Sequence, residues 1–243
     1  MMKKKFSGFY LLVACIVITI LHIPFAFAKF VTGNRLKEQK VIPAGAQIPV
    51  MRSLYDSLHL SLKGLSQQAF DVARQGFNKL VTEGKLFNDS IISIVDFSQP
   101  GNVKRLFVLD MKNYRMLFNT LVAHGQNTGR EWANSFSNQN DSHKSSLGFY
   151  KTMETYEGCN GYSLKLEGLE PGINDKAYER GIVMHGAEYV SQELANNRGW
   201  VGRSHGCPAV PVEFNRPVIS TIKGGSCLFV YHPDYITQSK VLN

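Results

Sequence analysis

The densest group of reactive side chains in this sequence lies between residues 181 and 212. A β-branched stretch ends in His185-Gly186, a polar loop follows, and the run SHGC then occupies residues 204–207. A free thiol has a pKa of about 8.5 and is only a few per cent thiolate at neutral pH, so a nucleophilic cysteine needs a nearby imidazole or another positive influence. This stretch offers two imidazoles. The pattern therefore favours Cys207 as a cysteine nucleophile activated by histidine.

Two other interpretations use the same residues. His185, His205 and Cys207 are acceptable zinc ligands, but no HExxH motif, CxxC motif or second acidic ligand stands nearby. SHGC can also be a plain turn around a structural cysteine. Gly206 favours the nucleophile, because a residue without Cβ lets backbone and substrate approach the thiol closely. We expect no metal and no cofactor.

A second His-Gly pair, His124-Gly125, also follows a predicted strand. Its loop contains no nucleophile, and a histidine at the end of a strand is usually structural, so we leave His124 out of the site. Residues 127–143 are rich in Asn and Ser and lack periodicity. They predict a long surface loop that borders or covers the pocket.

The first 28 residues have the pattern of a secretory signal. Lysines at positions 3–5 precede an almost wholly apolar stretch at 11–21, and the run AFA offers small residues for cleavage after Ala28. Lipoprotein processing at Cys15 and an uncleaved span over residues 6–27 are the alternatives. We expect an exported protein of the periplasm or cell envelope, which contacts the membrane only transiently and through this segment.

The number of cysteines indicates which thiols stay free after export. Three cysteines follow the signal segment, Cys159, Cys207 and Cys227, and an odd number in an oxidising compartment indicates that one thiol is kept free. If Cys207 stays reduced for catalysis, Cys159 and Cys227 are the only pair that can form a bridge. We expect free buried thiols at these two positions rather than a disulfide.

Length and charge narrow the class of protein. The 243 residues suffice for one medium domain with a small extension. The formal net charge is +8, and it falls to +5 when the three lysines of the signal segment are removed. This charge suits anionic wall polymers or lipid headgroups, and it equally suits an ordinary solvated surface. The basic residues form no run or stripe, so no nucleic-acid partner is expected.

Periodicity divides the remaining chain into a helical extension and a β-rich domain. Residues 29–60 predict a linker that ends in a short helix, and Ser66 is a predicted N-cap of an amphipathic helix that stops at Gly84. Alternating patterns then predict strands at residues 91–97, 105–110, 115–123, 147–153, 162–167, 181–185 and 226–231. We therefore predict a linker and helical extension over 29–90 and a mainly β domain over 91–235.

The HG and SHGC motifs together resemble the signature of the L,D-transpeptidase catalytic domain, often called the YkuD domain. The run SSLGFY at residues 145–150 is similar to that family's TPxGxF stretch at the start of a strand, and the resemblance covers roughly residues 91–232. Neighbouring runs such as GRSHGCPAV are typical of a divergent branch. The resemblance implies a mainly β fold, a β-sandwich or mixed sheet, with a short N-terminal helical extension.

The resemblance also implies roles for individual residues. Cys207 matches the nucleophile and His185 the imidazole that activates it. The residues that match the pocket and its oxyanion hole are Gly186, Ser204, His205 and Gly206.

Two departures from the family pattern affect these roles. His185 and Cys207 are 22 positions apart, several more than is usual, and Pro208-Ala209 replaces an apolar residue followed by Arg or Asn. Arg203 or Arg198 could supply the missing positive charge for a substrate carboxylate, although loop arginines are more often simply exposed.

The implied reaction is acyl transfer from a peptidoglycan stem peptide through a thioester at Cys207. The thiolate attacks the carbonyl of an L-centred residue and expels the terminal D-amino acid, while the amides of Cys207 and Gly206 stabilise the oxyanion. Transfer to an amine makes a transpeptidase, and transfer to water makes an L,D-carboxypeptidase. A catalytically idle peptidoglycan-binding module is the alternative from a different class.

Overall fold

The structure is a computed structural model that describes residues 53–243. The predicted signal segment and most of the predicted linker lie outside the described residues. Helix α1 covers Leu54–Ser57, a 3-10 turn covers Ser61–Lys63, and helix α2 covers Gln67–Thr82. No helix among the described residues is long and apolar enough to cross a membrane.

Helix α2 begins at the cap that the sequence predicts. The Ser66 side chain accepts a hydrogen bond from Ala69 N–H at 3.1 Å, which satisfies one of the free amides at the helix start. The buried face joins the main hydrophobic core through Ala69, Phe70, Ala73, Phe77 and Leu80. Gly76 lies so close to the ring of Phe149 that a Cβ there would be 2.0 Å from Cζ. The helix therefore packs against the β domain, as its apolar spacing predicts.

Eight strands follow in the chain. They are β1 Ile91–Asp96, β2 Leu106–Asp110, β3 Arg115–Thr120, β4 Gly148–Gly158, β5 Gly161–Gly168, β6 Val183–Gly186, β7 Ala209–Val210 and β8 Cys227–Tyr231. The seven predicted strands all form, and β7 is additional. Two helices that the pattern does not predict, α3 at Gln192–Arg198 and α4 at Val212–Ile222, flank β7 in the chain.

The strands form one mixed sheet in the order β3-β2-β1-β8-β4-β5-β6-β7. Only β1 with β8 and β6 with β7 are parallel neighbours. Ala123, shortly after β3, pairs with Ala209 of β7, and Gly125 pairs with Ser204. These bridges join the two ends of the strand order, so the sheet is nearly closed. The predicted mainly β fold is confirmed, in the form of a mixed sheet.

The pairing of β6 with β7 places the two sequence motifs side by side. His185 lies opposite Ala209 and Gly186 lies opposite Val210. Because SHGC directly precedes β7, this parallel register brings Cys207 next to the chain that leads into β6. The fold thus joins segments that are more than twenty residues apart in the sequence.

Candidate active site

Cys207 is partly exposed at the end of the SHGC turn. Its Sγ accepts a hydrogen bond from Val183 N–H at 3.5 Å and donates to Gly181 O at 3.8 Å. Burial raises the pKa of the Cys207 thiol above its ordinary value, while the Val183 N–H and the charge of Arg180 act in the opposite direction. The thiol form therefore predominates at neutral pH, and nucleophilic attack requires a base.

Ser204 organises the backbone of this turn. Its hydroxyl donates to Cys207 O at 2.6 Å and accepts Gly206 N–H at 3.1 Å. Gly206 has a φ of +121°, and a Cβ there would lie 2.7 Å from Lys144 O, so the position requires glycine. Ser145 Oγ donates to Gly206 O at 3.1 Å from a distant segment. Two hydroxyl groups therefore fix the peptide groups on either side of Cys207.

The backbone amides of the turn differ in their availability. The N–H groups of His205 and Cys207 have no hydrogen-bond acceptor among the described residues, whereas Gly206 N–H is bonded to Ser204 Oγ. An unpaired amide beside a nucleophile is a donor for an oxyanion. The sequence analysis predicts the amides of Cys207 and Gly206 as oxyanion donors. Because Gly206 N–H is already bonded to Ser204 Oγ, the two amides that remain free are those of Cys207 and His205.

His185 is buried on β6, with 4% of its surface exposed. Its Nδ1 lies 2.9 Å from Gly186 O, and because a carbonyl only accepts, Nδ1 carries the proton and Nε2 is the basic nitrogen. Burial lowers the pKa of His185, so the imidazole is neutral at pH 7 and can take up a proton.

The predicted contact between His185 and Cys207 is not a formed hydrogen bond. Within the described part of the chain, Sγ bonds only to backbone groups of Gly181 and Val183, and the imidazole bonds to Gly186 O. Catalytic hydrogen bonds are often long without substrate and shorten when it binds. The direct Cys–His pairing stays a prediction.

Gly186 has a packing role beside the site. A Cβ on Gly186 would lie 2.9 Å from Cβ of Asn215 on helix α4. Asn215 Nδ2 in turn donates to Tyr162 O at 2.8 Å on β5. The glycine therefore lets α4 approach the end of β6, which fixes the carbonyl that orients His185.

The His205 side chain is exposed and stacks on His143, with ring centroids 4.2 Å apart and planes at 6°. His143 ends the predicted Asn- and Ser-rich loop, and its Nδ1 accepts a hydrogen bond from Gln126 Nε2 at 2.8 Å. This loop therefore borders the SHGC turn. In residues 53–243, no three His, Cys, Asp or Glu side chains cluster where they could hold a metal ion.

His124 supports the turn from the interior. It is 2% exposed, accepts a hydrogen bond from Arg105 at Nδ1 (2.8 Å) and donates from Nε2 to Gly129 O (3.2 Å). Burial lowers the pKa of His124 to about 3, so the ring is neutral. Its backbone carbonyl accepts Ser204 N–H at 3.0 Å. The second His-Gly pair is thus a buried support for the turn.

The two arginines named from the sequence have different surroundings. Arg203 donates from Nη1 to Gln126 O at 3.1 Å and Gly129 O at 3.2 Å, and its guanidinium stacks 5.3 Å from the ring of Trp200. It anchors a loop in this way, and its assignment as a substrate-binding residue stays a prediction. Arg198 is exposed at the end of α3. The cation whose charge acts on Cys207 is Arg180, which sequence reasoning missed although it precedes the strand that carries His185.

The three described cysteines are free. Cys227 is fully buried on β8, where burial raises the pKa of its thiol, and Cys159 is exposed in the turn between β4 and β5. The alternative bridge between them is not formed. Free thiols are found as expected, but Cys159 is exposed rather than buried.

Comparison with known proteins identifies the class of this fold and site. Residues 61–231 match the family model of the L,D-transpeptidase catalytic domain. The chain belongs to this family. The matched region contains both the HG and SHGC motifs and also helix α2.

Several solved structures are similar at low identity. An L,D-transpeptidase from Mycobacterium smegmatis is 10% identical over 59% of this chain and 59% of that chain, with a TM-score of 0.38. L,D-transpeptidase 3 from Mycobacterium tuberculosis is 12% identical over 59% and 61%, with a TM-score of 0.36. An Enterococcus faecium L,D-transpeptidase is 12% identical over 58% and 50%, also with a TM-score of 0.36. The chain thus spans about three fifths or less of these proteins. No curated protein sequence matches it.

Proposed function

We propose that this protein is a cysteine acyltransferase of the L,D-transpeptidase type that acts on peptidoglycan stem peptides through a thioester at Cys207. The SHGC turn is the observation that carries the proposal. It presents a partly exposed thiol together with two amide N–H groups that have no acceptor among the described residues. A thiol and free amides within one rigid turn are the components that acyl transfer needs.

The first half-reaction forms the thioester. The Cys207 proton passes to Nε2 of His185, and the thiolate attacks the carbonyl carbon of an L-centred residue in the donor stem. The new S–C bond places negative charge on the carbonyl oxygen, which the N–H groups of Cys207 and His205 stabilise by several kcal/mol in a site shielded from water. The imidazolium then protonates the leaving amine as the C–N bond breaks, and the terminal D-amino acid departs.

The second half-reaction releases the enzyme. Nε2 of His185 accepts a proton from the attacking group, the new bond forms at the thioester carbon, and the Cys207 thiolate leaves and regains its proton. An amine from a second stem gives a crosslink, and water gives carboxypeptidase activity from the same residues. The choice of acceptor is therefore an outcome of the test below.

A direct assay tests the proposal. The chain without residues 1–28 is incubated with tetrapeptide stems and an amine acceptor, and the products are resolved by mass. We expect release of the D-amino acid and a thioester adduct on Cys207. Cys207→Ser barely changes the side-chain volume and should lower turnover by at least about 1,000-fold, and His185→Ala should abolish acylation.

Two variants serve as controls. Cys159→Ser removes an exposed thiol outside the turn and should keep full turnover. His205→Ala keeps the backbone N–H and should retain measurable acylation; if it is damaged more than His185→Ala, the two imidazoles have exchanged roles. Turnover by a folded Cys207→Ser protein would refute the proposal. Binding of peptidoglycan without any release of D-amino acid would establish the binding-module alternative.

The same proposal includes export to the periplasm or cell envelope. The supporting features are the lysines at positions 3–5, the apolar stretch at 11–21 and the small residues before Lys29. N-terminal sequencing of the protein from an envelope fraction should begin at Lys29. A chain that retains Met1, or that carries a lipid on Cys15, would contradict cleavage after Ala28.

A further inference from the structure

The half-buried Arg180 lies just before β6 and is held by four hydrogen bonds. Nη1 donates to Ser137 O at 2.8 Å and Ser146 Oγ at 2.7 Å, and Nη2 donates to Lys144 O at 2.6 Å and Ser142 Oγ at 3.2 Å. None of these acceptors is a carboxylate, and no ion pair involves Arg180 within the described chain. The guanidinium therefore holds a positive charge in place without an acidic counter-ion.

Two backbone contacts link Arg180 to the surroundings of Cys207. The residue after Arg180, Gly181, has its carbonyl 3.8 Å from Cys207 Sγ. The Lys144 carbonyl that Nη2 binds lies 2.7 Å from the Cβ position of Gly206. Arg180 thus connects the strand start beneath the thiol with the segment that packs on the SHGC turn. A thiolate at Cys207 is the anion that the charge of Arg180 can stabilise.

The other ionisable groups around the turn do not supply a competing carboxylate. The groups that act electrostatically on Cys207 or Arg180, or that border the turn, include Tyr150, Cys159, Tyr189, Lys144, Arg203 and the histidines His124, His143, His185 and His205. Lys144 Nζ is bonded to Ser135 Oγ at 2.7 Å. Arg180 is the cation that acts on the Cys207 thiol, and four hydrogen bonds hold it in place.

We propose that Arg180 is a positioning residue whose fixed charge stabilises the Cys207 thiolate. The inference rests on the proposed function in that it takes Cys207 as the nucleophile. All four terminal N–H groups are already engaged, so Arg180 has no bidentate face left for a substrate carboxylate. Its contribution is to the charge state of the thiol rather than to substrate binding.

Alkylation of the thiol by iodoacetamide as a function of pH tests this role. The measurement uses the chain with Cys159→Ser, so that the fully buried Cys227 is the only other described thiol. Arg180→Gln keeps two amide donors and removes the charge, whereas Arg180→Lys keeps the charge and loses the guanidinium geometry. We expect Arg180→Gln to raise the midpoint of the alkylation rate by about one pH unit, which means roughly tenfold less thiolate at fixed pH. Arg180→Lys should stay close to the parent.

Further measurements separate this role from a purely structural one. Arg203→Gln, which removes another loop arginine bonded to backbone carbonyls, should leave the midpoint unchanged. Added salt should raise the midpoint in the parent protein and not in Arg180→Gln. If the Gln variant fails to fold, the salt dependence of the parent still tests the charge, and a midpoint that salt leaves unchanged would overturn the inference. In the stem-peptide assay at pH 7, Arg180→Gln should lower kcat about tenfold with little change in KM.

Each outcome assigns a role. If the Gln and Lys variants shift the pH midpoint of alkylation equally, Arg180 has only a structural role and the inference is overturned. A raised KM with an unchanged pH midpoint would overturn it as well. A midpoint that depends on Arg180 in a protein that releases no D-amino acid would uphold the inference and refute the proposed function. If release of D-amino acid requires Cys207 but the pH midpoint does not depend on Arg180, the proposed function is upheld and the inference is refuted.

Discussion

Replacing Ser204 by alanine removes the hydroxyl that shapes the SHGC turn. That hydroxyl is the donor to Cys207 O at 2.6 Å and the acceptor of Gly206 N–H at 3.1 Å, and the residue is only 6% exposed. Alanine preserves the size of the backbone turn but leaves the buried Gly206 amide without its partner. The substitution therefore tests whether the turn is held by this side chain or by the surrounding sheet.

The expected loss of stability follows from these two bonds. A buried donor left unsatisfied costs about 1–3 kcal/mol, and the carbonyl of the partly exposed Cys207 can regain water. Ser204→Ala should therefore lower the free energy of unfolding by about 1–3 kcal/mol. Ser93 is a matched control, because it is fully buried on β1 and its Oγ has no partner among the described residues. Ser93→Ala should be neutral or stabilising by up to about 1 kcal/mol.

Urea denaturation and the stem-peptide assay measure the two consequences. A domain with a stability of about 5–15 kcal/mol stays folded after such a loss, so activity can be read independently. Because the turn also orients the free amides of His205 and Cys207, release of D-amino acid should fall about 100-fold in Ser204→Ala. Equal stability changes at Ser204 and Ser93, or full activity in a destabilised Ser204→Ala protein, would refute the reasoning.

Two further changes test the packing and the buried imidazole. Gly76→Ala should lower the free energy of unfolding by about 1–3 kcal/mol in urea, since overlap with the Phe149 ring outweighs the gain of up to about 1 kcal/mol in helix propensity; a more stable variant would show that the ring can move aside. Because the folded pKa of His124 is about 3 against 6.5 when unfolded, the unfolded chain binds the extra proton below pH 6.5 and stability falls by up to about 1.4 kcal/mol per pH unit. His124→Gln keeps an acceptor for Arg105 and a donor for Gly129. When the pH is lowered from 6.5 to 4.5, the free energy of unfolding of this variant should fall by about 2–3 kcal/mol less than that of the parent, and parallel curves of stability against pH would contradict this.

Local periodicity was sufficient to predict the elements that bury one face. The Ser66 cap and the apolar spacing predict helix α2, and alternation or short β-branched runs predict seven strands. The HG and SHGC motifs are likewise contiguous in the sequence. These features depend on neighbours within a few residues, which is the range that a single sequence reveals.

Features that depend on distant partners were not predictable in this way. Strand β7 has two residues, too few to alternate, and helix α4 contains Pro217, which removes a helix hydrogen bond and obscures the pattern. Arg180 and Glu170 look like ordinary surface charges in the sequence. Glu170 is fully buried because groups far along the chain donate to its carboxylate, among them Phe149 N–H and the Tyr235 hydroxyl.

Both departures from the family pattern have a structural account in the pairing of β6 with β7. The parallel register sets Ala209 opposite His185, so helix α3 and its loops lengthen the connection without displacing Cys207. Extra loop residues cost little, because closure entropy grows only slowly with length.

The same register explains the small residue two positions after Cys207. Ala209 is fully buried and also pairs with Ala123, whose N–H donates to Ala209 O at 2.8 Å. A long charged side chain at position 209 would have to be buried within the hydrophobic cluster that closes the sheet, which costs free energy. Position 209 therefore supplies no positive charge beside the thiol. Arg180, at the start of β6 and held by the loop that borders the turn, is placed to supply it.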